Sequence, residues 1–394
     1  MTILIALLFL TPVALFGYAY FGYPALLTLA ARLRPAASGA TATLDWPSIT
    51  ITIPCYNEAQ AIASTIERIL ALDYPPDRRQ VLVISDASTD GTDAIVRSFA
   101  DRGVELLRLP RRGGKTAAEN AAAPHIRGEI VVNTDATIRI VPGALRELVA
   151  VFRDPTIGVA SGRDISVGDV ESARNQGESG YVGYEMWVRS LETRLGSIVG
   201  ASGCFFASRR ELYDGAFPEA LSRDFASCLI AREAGFRSVS VNAARALVPR
   251  ASSLRTEYRR KVRTMARGLG TLHYKRHLLN PFRYGAFSGM LFSHKLCRWL
   301  SQLSLPLLPV GGVLLAFCAP ATIPWLILGT SLGIALSWLA WWWPEGRPMP
   351  VLLSAPGYFI WSNLAGLMAW LQFFQKDYQP VWEPTRRPGL HQGH

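Results

Sequence analysis

The sequence predicts an α/β fold, with a Rossmann-like, mostly parallel sheet, joined to transmembrane α-helices. Two observations lead to this prediction. Strand-like and helix-like patterns alternate between residues 48 and 132, and three long segments of the 394-residue chain contain no Asp, Glu, Lys or Arg. With 49% hydrophobic and 18% charged residues, the composition excludes an intrinsically disordered chain and a small disulfide-rich scaffold.

The uncharged segments cover residues 1–31, 299–344 and 348–375. A helix needs about 20 residues to cross a bilayer, so the first and last segments predict one span each. The middle segment is long enough for two spans, with a break near Pro320. We therefore expect an integral membrane protein with four spans, the first of them an uncleaved anchor.

Positive charge is concentrated before the later uncharged segments. The net charge is +11, and residues 245–298 contain 13 Lys or Arg against one acid, Glu257. Basic residues beside a membrane span favour the cytoplasmic face. We expect this block to contact membrane lipids, and we expect no nucleic-acid partner.

The first half of the chain alternates between periods of about 2 and 3.6 residues. Residues 48–53 alternate strictly between apolar and polar and predict a strand that Pro54 ends, whereas residues 59–72 have helical spacing. The same reasoning predicts strands at 81–84, 104–109 and 129–132, and helices at 92–100 and 116–126. Such alternation predicts an open parallel sheet, which binds ligands at the carboxyl ends of its strands.

Polar residues follow each of these four strands. They occupy residues 54–58, 85–92, 111–115 and 133–137. Asp, Asn, Ser and Gly also form ordinary turns, so each loop alone is ambiguous. Four such loops on one edge of a sheet favour a binding site with a tyrosine for stacking, acids for ribose and metal, and a lysine for phosphate.

Three of these motifs resemble glycosyltransferase family 2. They are Pro-x-Tyr-Asn-Glu at 54–58, Asp-x-Ser-x-Asp-Gly-Thr at 86–92, and Asp135 followed by a later acid. The resemblance covers residues 48–270 and implies an inverting enzyme with a GT-A nucleotide-sugar fold. It also implies a cytosolic GT-A domain.

The resemblance further implies which residues bind the donor. Lys115 would lie near the diphosphate, and Asp135 would ligate Mg²⁺ or Mn²⁺, hard cations that prefer oxygen ligands. Thr137 stands where the family usually has a second Asp, and a neutral hydroxyl is a weaker ligand. The nucleoside would be held by Pro54, Tyr56, Glu58 and Asp86.

Two later segments are matched to the acceptor site. Gly203 and Cys204 end a run of small residues that resembles the floor of that site, although a tightly packed strand fits the composition equally well. Asp224 matches the catalytic base, with Arg223 in place of the usual acidic partner and expected to keep Asp224 ionised. On its own, an Asp before a helix is ordinarily an N-cap.

Residues 260–264 stand where processive members such as cellulose synthases carry Gln-x-x-Arg-Trp. Arg263 matches the arginine and Arg260 replaces Gln, and both would bind the departing diphosphate because guanidinium groups pair bidentately with phosphate. Thr264 replaces Trp, which argues against a cellulose-like polymerase. Part of this basic block is also expected to face the membrane surface.

The sequence thus predicts a multi-pass protein of the cell (inner) membrane that transfers a sugar from a nucleotide sugar, most simply a UDP-sugar, to a growing glycan or lipid-linked saccharide. The alternatives are a polyprenyl-phosphate sugar transferase and, from another class, a transporter or nucleotide sensor without turnover. The expected domains are a membrane helix at 1–31, a linker at 32–47, the GT-A domain at 48–270, a basic interfacial segment at 271–298, three membrane helices at 299–375 and a tail at 376–394.

Overall fold

The computed structural model describes most of the chain outside the linker and the tail. It covers residues 1–33, 46–167, 176–213, 215–249, 254–344, 349–378 and 381. Most of the predicted linker and tail, and the loop at residues 345–347 between the last two predicted spans, lie outside the described residues.

An eight-stranded sheet forms the centre of the α/β domain, in the order β3-β2-β1-β4-β7-β6-β8-β5. The predicted strands appear as β1 (Ile49–Cys55), β2 (Arg79–Ser85), β3 (Val104–Arg108) and β4 (Ile130–Thr134). The later strands are β5 (Arg139–Ile140), β6 (Ile157–Val167), β7 (Phe205–Arg209) and β8 (Arg237–Pro249). Parallel pairing of β1 with β2 aligns Cys55 with Ser85, so the two following loops leave the sheet at the same edge.

The sheet is mixed: β1 to β4 pair parallel, as predicted, and β6 also pairs parallel with β8, but the other pairings are antiparallel. In the described part of the chain, β7 pairs antiparallel with both β4 and β6, and β5 pairs antiparallel with β8. The alternation that predicts parallel strands ends at β4. After it, β7 enters beside β4 from the opposite direction and aligns Phe205 with Thr134.

Helices cover both faces of the sheet, as expected for alternating strands and helices. Ile62 and Ile66 of one helix and Leu148 of another pack on one face, whereas Ala118 packs with Leu82 on the other. The helices of this domain are α3 (Ile62–Leu70), α4 (Thr92–Arg97), α5 (Lys115–Ala122), α6 (Ala144–Ala150), α7 (Gln176–Leu195), α8 (Arg223–Glu233) and α9 (Leu254–Tyr274).

The remaining helices lie at the two ends of the chain. The N-terminal helix is continuous over Thr2–Arg32, with α1 (Thr2–Gly17) and α2 (Tyr23–Arg32) joined by one π-helical turn. The C-terminal helices are α10 (Pro281–Tyr284), α11 (Ala286–Leu291), α12 (Cys297–Leu303), α13 (Leu307–Cys318), α14 (Ile323–Trp341) and α15 (Val351–Gln375).

Two helical segments of the described chain are long and apolar enough to cross a membrane, Thr2–Arg32 and Pro320–Trp341. A third is possible if Ala286–Leu303 and Leu307–Cys318, which meet at 43°, form one bent span. The predicted break near Pro320 is present, between α13 and α14. The fourth predicted span corresponds to α15, which carries Ser, Asn and Gln among its apolar residues and packs along α9 of the α/β domain.

A buried polar cluster connects the N-terminal helix to the α/β domain. Glu192 on α7 accepts a hydrogen bond from Tyr23 Oη at 2.6 Å and lies 2.6 Å from Nδ1 of His294. The other ring nitrogen of His294 lies 3.0 Å from Glu185, which also accepts from Arg298 at 2.6 Å. Because charges buried in an apolar core are costly unless they are paired, these contacts hold α2, α7 and the segment before α12 in one arrangement.

We predict that Glu192→Ala lowers the free energy of unfolding by about 3–5 kcal/mol, because it leaves the Tyr23 hydroxyl and Nδ1 of His294 buried without their partner. The matched control is Glu67→Ala, which removes the half-exposed ion pair with Arg102 and costs less than about 1 kcal/mol. Thermal unfolding of both purified variants in detergent measures the difference. Equal losses of stability would contradict a structural role for the buried cluster.

Candidate active site

A cavity of about 320 Å³ lies at the carboxyl ends of β1 and β4. Its walls combine acidic, basic and small residues from seven parts of the chain. They are Pro54 at the end of β1 and Glu58 after it, Lys115, Thr116 and Glu119 of α5, Asp135, Ala136 and Thr137 after β4, Asp164 of β6, Gly203 and Cys204 before β7, Ser222, Arg223 and Asp224 at the start of α8, and Arg260, Arg263, Thr264 and Arg267 of α9.

The loops after β1 and β2 are bonded to each other. The Asn57 carboxamide accepts from the backbone N–H of Thr89 at 2.8 Å, and Asp90 accepts from the N–H of Ala59 at 3.0 Å. The Glu58 N–H donates to the Thr92 hydroxyl at 2.9 Å. The Asp-Gly-Thr sequence therefore holds the Asn-Glu sequence in place at the edge of the sheet.

Asp86 fixes the loop that carries Lys115. Its two carboxylate oxygens accept from the backbone N–H groups of Gly113 and Gly114 at 2.7 and 2.9 Å. Gly114 has φ +89°, a conformation that residues with a Cβ rarely adopt. Asp86 is fully buried and is not part of the cavity wall, so in this structure it positions the loop.

Tyr56 is the other predicted donor-binding residue outside the cavity wall. The guanidinium carbon of Arg112 lies 3.8 Å from the centre of its ring. One face of the ring is therefore covered by a cation, and a nucleoside base would stack on the other face or displace Arg112.

Lys115 joins three parts of the site. Its Nζ donates to Asp135 Oδ1 at 2.6 Å and to the Gly203 carbonyl at 2.6 Å. Burial alone would lower the pKa of Lys115, but the carboxylates of Asp135, Glu119 and Asp224 outweigh burial and raise it. The cationic form is thus the stable one in the cavity.

The β4–β7 pairing brings Gly203 and Cys204 to Asp135. Since Thr134 pairs with Phe205, the Asp135 N–H reaches the Cys204 carbonyl at 3.2 Å. Residues 199–204 form a loop here, so the alternative of a packed strand was wrong. A Cβ at Gly203 would lie 2.5 Å from Asp224 Oδ2, so only glycine allows this carboxylate so close to the loop.

Asp224 lies in the first turn of α8, whose N-cap residue is Ser222. Its Oδ1 accepts from the Phe225 N–H at 2.8 Å and from the Ser222 hydroxyl. Burial would raise the pKa of Asp224, but Lys115 first, together with these hydrogen bonds and Arg267, lowers it. Arg223 was expected to supply this cation, which was wrong, because its guanidinium donates to Asn120 and to the Tyr213 carbonyl.

Three arginines of α9 reach the cavity because positions 260, 263 and 267 share one helix face. Arg260 pairs with the buried Glu257 through two contacts of 2.8 Å. Arg267 donates to the Thr116 hydroxyl at 2.9 Å and to the Leu221 carbonyl. The part of the cavity wall formed by α9 therefore carries three guanidinium groups.

Sequence reasoning missed three charged residues of the cavity, Glu119, Asp164 and Arg267. Glu119 follows Lys115 by four residues on a predicted helix, and this spacing could have placed both on one face. Asp164 accepts from the Ser202 hydroxyl at 2.7 Å, a contact that depends on the pairing of β6 with β7 and has no local sequence signal.

The residues at Asp135 fit a divalent cation that is shared with a ligand. The Asp135 side chain is 33% exposed, uses Oδ1 for Lys115, and lies in the cavity wall with the Thr137 hydroxyl. Among the described residues, no group of three His, Cys, Asp or Glu side chains could hold a metal by itself. Mg²⁺ is commonly bound by one or two carboxylates together with substrate phosphates, which matches this arrangement.

Comparison with known proteins agrees with this geometry. Residues 50–217 match the family model described as glycosyl transferase family 2. The chain is 27% identical over 168 residues to a beta-monoglucosyldiacylglycerol synthase of Synechocystis sp., a match that covers 42% of this chain and 35% of that protein. It is 26% identical over 248 residues to an N-acetylglucosaminyltransferase of Rhizobium sp. (strain N33), covering 57% of this chain and 53% of that protein.

The chain therefore spans about a third to a half of the length of these curated relatives. Among solved structures, the mannosyltransferase PcManGT of Pyrobaculum calidifontis superposes with a TM-score of 0.69 at 24% identity, over 95% of this chain and 99% of that one. This likeness shows a common fold that includes the helices on both sides of the α/β domain. Residues 50–217 of this chain therefore match glycosyltransferase family 2, and the chain has a GT-A-like α/β fold with a mixed sheet.

Proposed function

We propose that the protein is a membrane-bound inverting glycosyltransferase that uses a nucleotide sugar. The observation that carries this proposal is one cavity that holds a partly buried carboxylate with a lowered pKa, Asp224, together with Lys115 and the arginines of α9. The acceptor is a hydroxyl group of a growing glycan or lipid-linked saccharide for a surface or extracellular polysaccharide.

In this proposal Asp224 is the general base. Lys115 keeps the carboxylate ionised, and Ser222 and the Phe225 N–H orient it through Oδ1, so that Oδ2 beside Gly203 can accept the acceptor proton. The acceptor oxygen then attacks the anomeric carbon while the bond to the nucleoside diphosphate breaks. The small residues Gly203 and Cys204 leave room for the acceptor next to the carboxylate.

The leaving diphosphate would contact Lys115, Arg260 and Arg263, which stabilise the charge that builds on its oxygens. Asp135 and Thr137 would hold a Mg²⁺ or Mn²⁺ ion, which supplies further charge neutralisation when bound. Pro54, Glu58 and the Asp86 loop would hold the nucleoside. A UDP-sugar remains the proposed donor, and a GDP-sugar, as bound in the Pyrobaculum structure, belongs in the same screen.

The direct test of activity is a donor screen with purified protein in lipid vesicles. Release of the nucleoside diphosphate with one nucleotide sugar, together with transfer of its sugar to the lipid or glycan fraction, supports the proposal. Binding without any release supports the nucleotide sensor. Transfer to a polyprenyl phosphate would identify the alternative acceptor, which needs less help from a base because it is already ionised.

We predict that Asp224→Asn slows sugar transfer at least about a hundredfold while the protein folds normally. The Asn side-chain oxygen can still accept from Phe225 and Ser222, but an amide cannot take a proton. Turnover and thermal unfolding are measured together, with Asp154→Asn, outside the cavity, as the matched control. Near-normal turnover of Asp224→Asn would exclude Asp224 as the base.

A second prediction concerns the cation. Asp135→Asn keeps an acceptor for Lys115 but removes a charged ligand, so we expect at least about a hundredfold loss of activity and weaker Mn²⁺ binding. Thr137→Asp should keep or tighten Mn²⁺ binding, which electron paramagnetic resonance measures. Full activity of the native protein in excess chelator would contradict the assignment of Asp135.

A third prediction concerns topology. We propose a multi-pass protein of the inner membrane with a cytoplasmic catalytic domain, supported by the outward-facing apolar residues of α1 and α14. Cys318 is exposed at the end of α13, before Pro320, where this topology places the outer side. A membrane-impermeant thiol reagent should label intact cells at this residue, and Cys318→Ser should abolish the label. Labelling that requires permeabilised cells would contradict the topology.

A further inference from the structure

Glu119 is a buried acidic residue of the cavity to which the proposed mechanism gives no role. It lies one helical turn after Lys115 on α5, lines the cavity and is only 1% exposed. Neither carboxylate oxygen has a hydrogen-bond partner in the described part of the chain. Lys115 donates elsewhere, to Asp135 and Gly203.

An unpartnered buried carboxylate is costly, so the group that satisfies it is expected to come from the ligand that fills the cavity. The neighbouring charges restrict this group. Burial is the main cause that raises the pKa of Glu119, to about 7. The nearby cations Lys115 and Arg223 favour the ionised carboxylate, whereas the acids Asp224 and Asp135 favour the protonated form.

A phosphate oxygen does not suit this position, because it is itself an acceptor and carries negative charge. A hydroxyl group does, since it can donate to a carboxylate and also accept from a protonated one. Three sources of hydroxyl groups could reach the cavity: the ribose of the nucleoside, which the proposed function places at Pro54 and Glu58, the transferred sugar and the acceptor. Glu119 adjoins Lys115, which is proposed to hold the diphosphate, and the part of the donor joined to the diphosphate on the side away from the nucleoside is the sugar.

We propose that Glu119 binds a hydroxyl group of the transferred sugar and thereby contributes to donor selection. This proposal rests on the proposed function. A purely electrostatic role is the competing explanation, in which Glu119 balances the charge of Lys115, Arg223 and Arg267. That role would alter the binding of a nucleoside diphosphate equally with and without its sugar.

The test compares nucleotides with and without sugar on the full chain in detergent. The probes are UDP and GDP against UDP-glucose, UDP-N-acetylglucosamine and GDP-mannose, titrated calorimetrically with Mg²⁺ into the native protein and two variants. Glu119→Met is unbranched and cannot accept a hydrogen bond, whereas Glu119→Gln keeps one carbonyl acceptor. Glu147→Met, at an exposed position of α6, is the matched control.

For the nucleotide sugar that binds best, we expect Glu119→Met to raise the dissociation constant about tenfold or more. The dissociation constant of the corresponding nucleoside diphosphate should change by less than about twofold. The affinity of Glu119→Gln for the nucleotide sugar should lie between those of the native protein and Glu119→Met. Because the buried native carboxylate has no hydrogen-bond partner to lose, both variants should unfold at or above the native temperature.

Deoxyfluoro analogues of the same nucleotide sugar identify the hydroxyl group. One analogue should bind more weakly than the parent to the native protein and equally well to Glu119→Met, since both changes remove the same contact. Equal weakening of the diphosphate and the nucleotide sugar would overturn the role of Glu119 and leave the proposed function intact. Failure of the native protein to bind any of the five nucleotides would overturn both.

Discussion

The contact of Lys115 with Asp135 and the Gly203 carbonyl is the interaction on which the rest of the site depends. One ammonium group, at the start of α5, connects the end of β4 to the loop before β7. It also faces the carboxylates of Glu119 and Asp224, so it sets the charge of the whole cavity. A ligand that brings both an anion and a cation can exchange with this contact, because Lys115 then pairs with the anion and Asp135 with the cation.

This exchange explains why the cavity needs both acids and bases at close range. Without a ligand, Lys115 and Asp135 neutralise each other, and Arg260 is neutralised by Glu257. A diphosphate with a cation brings two opposite charges, and each has a partner ready on the protein. The site therefore suits a ligand that carries both charges better than an anion alone.

The sequence allowed prediction of the part of the site that local pattern determines. Residues that follow β1, β2 and β4 were placed at one edge because the apolar patterns of those strands are unambiguous and parallel pairing aligns their ends. The family resemblance added Gly203, Asp224, Arg260 and Arg263, all of which line the cavity.

The sequence could not predict the contacts that depend on long-range pairing. The antiparallel pairing of β7 with β4 brings Gly203 to Lys115. Nothing in the sequence of residues 199–209 indicates that β7 runs antiparallel to β4. For Asp86, the sequence motif predicted a contact with the donor. In the structure, both of its carboxylate oxygens accept hydrogen bonds from the backbone N–H groups of Gly113 and Gly114. The packing of α15 along α9 was missed for a similar reason, because a segment without charges predicts a span whatever it packs against.

The central claim is that a single displacement, with Asp224 as base, takes place in this cavity. The measurement that tests it most directly is the anomeric configuration of the product, read by NMR after a donor labelled with ¹³C at the anomeric carbon is supplied to vesicles that contain the protein. The account predicts a β-linked product from an α-linked nucleotide sugar, because one attack inverts the carbon. An α-linked product would contradict it, since retention requires a second nucleophile or a different mechanism.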